Sequence, residues 1–348
     1  MSKQRSTKSR SSSTGKKTTG RPARRTKVSV ATKPTARAAK EPGSDLSQKA
    51  LEASRRALRN RVAKDRRDRI SAFKQGLRLS ARKSRAAKAA AGAQAPARLR
   101  VLAEGDSWFD YPFEGGAIPK RLQESTDIRL LNLAHAGDEA REMLGVEQRI
   151  RLETNLADPS LQFDALLFSG GGNDLIGNPF CLWLRKKEAG MTPADALDPV
   201  RLKDALDIVE MAYRDLVTIR DEKRNSCVLF VHGYDFPEPT GKPVCGLGPW
   251  LKPSLDYRGW TDPMEAFEIV KALLRTFDAL LQKLAVEFRD FVYIHTQGTL
   301  NPKTEWANEI HPNRTGFGKI TAKFRAALEQ QFPGRIGDPS MTEIPGRR

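Results

Sequence analysis

The fold of this chain is decided by the stretch Val101-Leu102-Ala103-Glu104-Gly105-Asp106-Ser107-Trp108-Phe109. Its apolar half predicts a buried strand, and Gly105 and Asp106 predict the turn that leaves the strand. A serine at the carboxyl end of such a strand lies where open α/β sheets bind their ligands. If a helix begins just after Ser107, its free N–H groups point toward the group that the serine attacks. The alternative is that Asp106 or Ser107 only caps that helix.

Apolar runs alternate with helical patterns from residue 98 onward. The strand candidates are 99–103, 128–133, 165–169, 227–232 and 291–295. The main helical patterns cover 194–220, 263–288 and 316–331. Short strands that are apolar on both faces are typical of parallel sheets covered by helices on both sides. Residues 98–348 are therefore predicted to form a three-layer α/β/α domain with a doubly wound, mostly parallel, five-stranded sheet of the flavodoxin-like kind.

The positive charge of the chain is concentrated near its N-terminal end. The net charge is +18, but residues 1–96 hold 28 Lys and Arg against 5 Asp and Glu, whereas residues 97–348 hold 32 against 37. Residues 1–43 predict a disordered basic tail. Residues 44–97 predict a basic amphipathic helix over 45–85 and then a small-residue linker. The helix over 45–85 is a candidate to dock on nucleic acid, on an anionic membrane surface or on a partner helix; the alternative is a solvated, partly helical linker. Residues 1–96 as a whole are a candidate to bind a polyanion, either nucleic acid or an anionic membrane surface.

Composition disfavours several classes of protein. No apolar run reaches about 18 residues, so no transmembrane segment is expected. The basic N-terminus lacks the apolar core of a secretory signal. The three cysteines, Cys181, Cys227 and Cys245, show no metal-like spacing, and their odd number argues against a disulfide framework. These features favour a cytoplasmic protein with no metal and no cofactor.

Four short motifs follow predicted strands or lie in loops. They are Gly105-Asp106-Ser107, Asn132-Leu133-Ala134-His135-Ala136-Gly137, Ser169-Gly170-Gly171-Gly172-Asn173-Asp174 and Glu309-Ile310-His311-Pro312-Asn313. Each alone also has an ordinary interpretation, such as a turn glycine at 137 or a surface histidine at 311. In their order, spacing and placement, the four together resemble the SGNH (GDSL-type) hydrolase family over about residues 98–332.

The resemblance implies a serine hydrolase that cleaves carboxylic esters, with O-acetyl and short acyl groups among the candidates. Acyl transfer needs a nucleophile, a base and donors for the oxyanion. By the resemblance, Ser107 is the nucleophile and His311 is the base. The oxyanion hole would consist of the backbone N–H groups of Ser107 and Gly137 and the side-chain amide of Asn173. The substrate would be a small-molecule, glycan or lipid ester.

One position departs from the family pattern. The family usually has an aspartate three residues before the histidine, where this chain has Asn308. Glu309 could take the role of that aspartate, the carbonyl of Asn308 could orient a Ser–His dyad, or the enzyme could be weak or inactive. We favour the dyad, because hydrolases can work with a neutral third member. The departure also supports an alternative function, a nucleic-acid- or polyanion-binding protein built on a hydrolase scaffold.

Two long segments, 176–197 and 235–262, are rich in aromatic residues. Long loops of this kind are often lids or walls of binding sites. Trp183, Trp250, Tyr257 and Trp260 are therefore candidates to line the substrate pocket. The alternative is that these side chains anchor the two loops to the core.

Overall fold

The computed structural model describes residues 42–91, 97–113, 116–243 and 247–337. Internal contacts divide the chain into two units, Met1–Arg55 and Arg56–Arg348. The first unit is described only from Pro42, the residue at which the first helix begins. The tail that was predicted over residues 1–43 therefore lies almost entirely outside the described residues.

A parallel sheet of five strands forms the centre of the second unit, in the order β2-β1-β3-β4-β5. The strands are β1 (Arg100–Gly105), β2 (Arg129–Asn132), β3 (Ala165–Ser169), β4 (Val228–His232) and β5 (Phe291–Ile294). β3 and β4 are buried along their whole length because helices cover both faces of the sheet. The predicted doubly wound α/β fold is confirmed, and the five strands lie close to their predicted positions.

Helices cover the sheet on both faces. They are α1 (Pro42–Ala91), α2 (Ile118–Ser125), α3 (Ala140–Met143), α4 (Val146–Ala157), α5 (Gly172–Leu175), α6 (Pro199–Arg224), α7 (Lys252–Tyr257), α8 (Pro263–Glu287) and α9 (Arg314–Gln331). α2 packs with α9, while α6 packs with α3, α4 and α8. Because crossovers are right-handed and the strand order reverses at β1, these two groups cover opposite faces. None of the helices in the described parts of the chain is long and apolar enough to cross a membrane.

Three helix boundaries differ from the sequence-based expectation. α6 begins at Pro199 rather than at 194, because the Asp198 carboxylate caps it by accepting the N–H groups of residues 200 and 201. α1 continues to Ala91 through the predicted linker, because the alanine-rich run 86–91 has high helix propensity. No helix begins after Ser107: residues 106–110 form a single turn, and α2 starts only at Ile118.

From residue 56 onward, α1 belongs to the same unit as the sheet. Ile70, Phe73 and Leu77 pack against the core, and the ring of Phe73 stacks on that of Phe163 at 5.8 Å. β2 is an edge strand, and a helix over such an edge protects its unpaired backbone groups. The domain boundary that was predicted at residue 97 therefore does not separate this part of the helix from the α/β domain.

Candidate active site

Ser107 lies in the turn after β1 and is 8% exposed. Its hydroxyl oxygen lies 2.7 Å from Nε2 of His311. The histidine comes from the segment between β5 and α9, more than two hundred residues later in the chain, and is 4% exposed. β1 and β3 are neighbours at the point where the strand order reverses, which is where doubly wound sheets form their ligand crevice. The structure thus brings the predicted nucleophile and the predicted base into hydrogen-bond contact.

Asn308 holds the far side of the His311 ring. Its Oδ1 lies 2.9 Å from Nδ1 of His311 and also accepts the backbone N–H groups of Ile310 and His311, each at 3.1 Å. Three donors converge on this atom, so it is the oxygen of the amide, and Nδ2 donates to the hydroxyl of Tyr111 at 3.2 Å. A neutral imidazole that donates from Nδ1 keeps Nε2 as an acceptor. Asn308 therefore selects the tautomer that can take a proton from Ser107.

Burial lowers the pKa of His311 to about 4. The rings of Tyr111 and Trp250 pack against the imidazole at centroid distances of 4.6 and 5.5 Å. Asn308 supplies no negative charge to offset the loss of water, so the imidazolium form is disfavoured. At neutral pH the histidine is uncharged and able to act as a base, but the cation formed during proton transfer lacks a carboxylate partner.

Glu309 does not take the position of the missing aspartate. Its buried carboxylate accepts four backbone N–H groups: those of Gly241, Trp250 and Leu251 in the loop before α7, and that of Lys252, the first residue of α7. These donors hold the side chain away from His311, which already uses Asn308 as its acceptor. The expectation that Glu309 might orient the histidine is therefore corrected: Glu309 ties down the loop that carries Trp250.

Two of the three predicted oxyanion donors, Ser107 and Asn173, line one cavity, and Gly137 precedes Asp138, which contacts Asn173. Within the described residues, the backbone N–H groups of Ser107 and Gly137 have no hydrogen-bond partner in the chain. Gly137 has a φ of +89°, a conformation that favours glycine. Asn173 lines a cavity together with Ser107, and its Nδ2 donates to the carbonyl of Asp138 at 2.9 Å, which leaves the second amide hydrogen for a ligand.

An apolar cavity of about 40 Å³ opens beside Ser107. Its walls come from α8, from the loops after β3 and β4, and from the segment before His311; they include Ile176, Leu251, Val270, Leu273, Leu274, Trp306 and Ile310. A single water needs roughly 10–15 Å³ of such space, so this volume corresponds to about three water molecules.

The four aromatic residues that were predicted to line the pocket are not among the residues that line this cavity. Trp183 and Trp260 are buried, and their indole N–H groups donate to backbone carbonyls, so both anchor their loops as the alternative interpretation held. Tyr257 is 76% exposed. Trp250 alone of the four reaches the site, where it contacts the ring of His311. Trp108 and Trp306, whose rings contact each other and which were not predicted to line the pocket, line the cavity instead.

A buried polar cluster that sequence reasoning missed lies directly behind Ser107. Asp106 accepts the hydroxyls of Tyr234 and, at 2.7 Å, Ser169. The Ser169 hydroxyl also lies 2.9 Å from Nε2 of His232, whose Nδ1 lies 2.6 Å from the carbonyl of Gly233. Burial raises the pKa of Asp106 to about 6 and lowers that of His232 to about 4. The cluster fixes the turn that carries the serine.

The described residues contain no group of three or more His, Cys, Asp or Glu side chains arranged to hold a metal ion. Cys181 and Cys227 are free thiols, and Cys245 lies outside the described residues. His135 contacts Asp138, and His295 contacts the hydroxyl of Tyr293.

No model of a known protein family matches the chain, and no curated protein sequence matches it. Among solved structures, it is similar to a GDSL-like lipase described from Bacteroides ovatus, with 16% identity, a TM-score of 0.41, and coverage of 70% of this chain and 56% of that one. It is also similar to an extracellular lipase from Streptomyces rimosus, with 16% identity, a TM-score of 0.43, and coverage of 66% and 99%. A carbohydrate esterase of family 3 from Talaromyces cellulolyticus shows 12% identity, a TM-score of 0.37, and coverage of 67% and 97%.

Proposed function

We propose that this protein is an SGNH-type serine hydrolase that cleaves carboxylic esters. The observation that carries the proposal is the chain of contacts from Ser107 Oγ to His311 Nε2, at 2.7 Å, and from His311 Nδ1 to Asn308 Oδ1, at 2.9 Å. A nucleophile, a base and a group that orients the base are the arrangement that acyl transfer requires. The N–H groups of Ser107 and Gly137, for which no acceptor lies among the residues that the structure describes, support it further.

In the first half of the reaction, Ser107 Oγ adds to the ester carbonyl while His311 Nε2 takes the hydroxyl proton. The negative charge that develops on the carbonyl oxygen is stabilised by the N–H groups of Ser107 and Gly137 and by the amide of Asn173. The tetrahedral intermediate then expels the alcohol, which receives the proton from His311. Water repeats the sequence on the acyl-enzyme, releases the acid and restores both side chains.

The cavity beside Ser107 supports a small acyl group. It is apolar and holds about 40 Å³, which suits the methyl of an acetyl group better than a long chain. A fatty acyl chain would have to displace the buried side chains of Leu273 and Leu251, which are close to fully buried. We therefore propose acetyl or other short acyl esters as substrates, the alcohol being a small molecule or a sugar.

The proposal is tested by comparing wild type with Ser107→Ala on p-nitrophenyl acetate, acetylated sugars and acetyl thioesters. We expect Ser107→Ala to lower turnover by at least about 10³-fold, as is usual for loss of a nucleophile. Ser71→Ala, an exposed serine on α1, is the matched control and should leave turnover unchanged. A fluorophosphonate should label Ser107 in the wild type. Activity that survives in Ser107→Ala, or no activity on any of these esters, would contradict the proposal.

A second candidate function is binding of a polyanion through the basic helix. The observation that favours it is a set of exposed arginines on α1 for which the structure describes no acidic partner: Arg56, Arg59, Arg61, Arg67, Arg78 and Arg82. Such groups bind phosphates through counterion release, so affinity falls steeply with salt. Both functions can hold in one molecule, with the helix bringing the hydrolase to a charged surface.

The second candidate is tested with a DNA duplex and with vesicles that contain an anionic phospholipid. Replacing Arg56, Arg59 and Arg78 by Gln should weaken binding and reduce the slope of log affinity against log salt by about 0.9 for each DNA phosphate that the variant no longer neutralises. Deletion of residues 1–96 is unsuitable here, because α1 packs against the sheet. The substitutions leave that packing intact. Binding to neither probe, or binding that does not depend on salt, would exclude this function.

A further inference from the structure

Arg66 is a buried arginine at the middle of α1, with 2% of its surface exposed. Its Nε donates to the carbonyl of Leu133 at 2.7 Å, and its Nη2 donates to the carboxylate of Asp138 at 2.6 Å. Nη1 donates to Oε1 of Gln148, on α4, at 3.0 Å. All three nitrogens of the guanidinium are therefore engaged with the α/β domain.

Two of these acceptors bracket the loop that carries Gly137. Leu133 lies at the start of the loop and Asp138 follows the glycine directly. The carbonyl of Asp138 in turn accepts the side-chain amide of Asn173 at 2.9 Å. One guanidinium thus fixes both ends of the segment that carries Gly137, and it is connected to Asn173 through one intervening residue, Asp138.

The positive charge of Arg66 faces two nearby carboxyl groups. Asp138 accepts its hydrogen bond, and Oε1 of the buried Glu104, at the end of β1, lies 3.5 Å away. A buried arginine is tolerated only when its donors and its charge are satisfied. Arg69, one turn later, adds donors to the carbonyls of Asn132 and Ala134 at 3.4 and 3.3 Å. The same face of α1 therefore holds the backbone from the end of β2 to the glycine.

We infer that α1 is a working part of the active site and that Arg66 is a positioning residue for the oxyanion hole, an inference that rests on the proposed esterase function. The guanidinium touches no substrate. It acts by holding Gly137 and, through Asp138, Asn173 where their N–H groups meet the developing oxyanion. Displacement of such donors costs rate rather than substrate binding, because the donors act most strongly in the transition state.

A positioning role of Arg66 and a merely structural role predict different effects of its substitution on two matched substrates. An ester and its thiono analogue, in which sulfur replaces the carbonyl oxygen, use the same nucleophile and base, but sulfur accepts hydrogen bonds poorly. The ratio of kcat for the ester to kcat for the thionoester therefore reports how well the oxyanion donors are placed. General loosening of the protein lowers both rates together and leaves the ratio unchanged.

The test measures kcat, KM and this ratio for wild type, Arg66→Lys, Arg66→Gln and Asp138→Asn, with circular dichroism as a check on folding. Arg325→Gln, which changes an exposed arginine on α9, is the matched control and should behave as wild type. In Arg66→Gln we expect kcat for the ester to fall about 10- to 100-fold and KM to change by less than about threefold. The ratio of kcat for the ester to kcat for the thionoester should fall toward the ratio of the two uncatalysed rates. Arg66→Lys should recover part of the loss, because it keeps the charge but not the fork of donors.

The outcomes distinguish this inference from the proposed function. Wild-type activity that does not depend on Ser107 would remove the proposed function and the inference with it. Ser107-dependent activity with an unchanged ratio in folded Arg66→Gln would overturn the inference alone. If Arg66→Gln does not fold, the ratio in Arg66→Lys and Asp138→Asn decides: a lowered ratio supports a positioning role, and a wild-type ratio in both overturns it.

Discussion

The side-chain oxygen of Asn308 lies 2.9 Å from Nδ1 of His311 and occupies the position in which a charged carboxylate was expected. The amide gives the histidine the same orientation and the same tautomer that an aspartate would give. It does not give the imidazolium a counter-charge, and the pKa of the buried His311 is accordingly lowered to about 4. An aspartate would supply both the orientation of the ring and a negative charge, whereas Asn308 supplies only the orientation.

Asn308→Asp should restore the charge while it keeps the geometry. The second carboxylate oxygen would replace the amide nitrogen that now donates to the hydroxyl of Tyr111. We expect the pKa of His311 to rise by about 1–3 pH units, as an adjacent opposite charge favours the imidazolium. The base must be neutral to act, so the acid limb of kcat/KM should move from about pH 4 to higher pH, with turnover at neutral pH equal or higher. The pH profile measures both effects.

Two further variants serve as comparisons for Asn308→Asp. Asn225→Asp, which changes an exposed asparagine at the C-cap of α6, is the matched control, because it adds the same charge at the opposite edge of the sheet from the dyad. Asn308→Ala should lower kcat at least about tenfold, since nothing then selects the tautomer. A large loss of turnover in Asn308→Asp would show that the amide group itself is required and would count against the dyad as described.

Glu309→Gln should release the loop before α7. The buried carboxylate accepts four backbone N–H groups, and an amide in its place offers one oxygen and points a donor at other donors. Leaving about two buried N–H groups without partners should cost about 2–5 kcal/mol in the free energy of unfolding. Because Trp250 belongs to this loop and contacts His311, KM should rise more than kcat falls.

Urea unfolding and limited proteolysis measure the effect of Glu309→Gln. Cleavage between residues 236 and 252 should become faster in the variant. Glu188→Gln, which changes an exposed carboxylate, provides the comparison and should match wild type in both assays. A variant as stable as wild type would mean that Glu309 does not hold the loop.

The parts of the site that depend on parallel-sheet topology could be predicted from the sequence. Apolar runs mark the strands, and the carboxyl ends of parallel strands meet at one edge, so Ser107 and Asn173 were expected to lie near each other. The His311 motif follows the last strand and was expected at the same edge. The structure brings these residues to one crevice, with Ser107 and His311 in hydrogen-bond contact.

The parts that depend on where individual side chains point could not be predicted. Asn308 and Glu309 are neighbours in the chain, but one bonds to His311 and the other to loop amides that come from a distant segment. An aromatic residue in a long loop serves equally well as an anchor or as a pocket wall, and only tertiary packing separates Trp183 from Trp306. In the sequence, Arg66 is one of many basic residues on a helix, and only the structure shows that its guanidinium is buried against acceptors.

Leu274→Ala should widen the acyl cavity and change the preference for acyl length. The side chain lines the cavity from α8 and is almost fully buried. Its truncation leaves room for more methylene groups, and we expect the ratio of kcat/KM for p-nitrophenyl butyrate to that for the acetate to rise about tenfold, since each buried methylene contributes about 0.8 kcal/mol. Leu284→Ala, on the same helix but outside the cavity, should cost similar stability, about 2–5 kcal/mol, without a change in preference. An equal ratio in both variants would show that the acyl group binds elsewhere.

The free energy of unfolding of Asp106→Asn should depend on pH differently from that of wild type, because the buried carboxyl group of Asp106 ionises and asparagine does not. Burial raises the pKa of Asp106 to about 6 although the hydroxyls of Tyr234 and Ser169 donate to it. Its pKa in the folded state is thus higher than in the unfolded chain, so the folded state binds more protons between about pH 4 and pH 6, and the contribution of Asp106 to stability is lost as pH rises through that range. Asparagine does not titrate. The difference in free energy of unfolding between variant and wild type should therefore move in favour of the variant by about 3 kcal/mol from pH 4 to pH 8, since a pKa difference of one between the folded and unfolded states corresponds to about 1.4 kcal/mol.

Urea unfolding between pH 4 and pH 8 measures this difference between Asp106→Asn and wild type. Because Glu104 and both buried histidines are present in both proteins, their own titrations largely cancel in it. Asp204→Asn, which changes an exposed carboxylate on α6, is the comparison. Parallel stability curves for wild type and Asp106→Asn would mean that the carboxyl group of Asp106 does not titrate in this range.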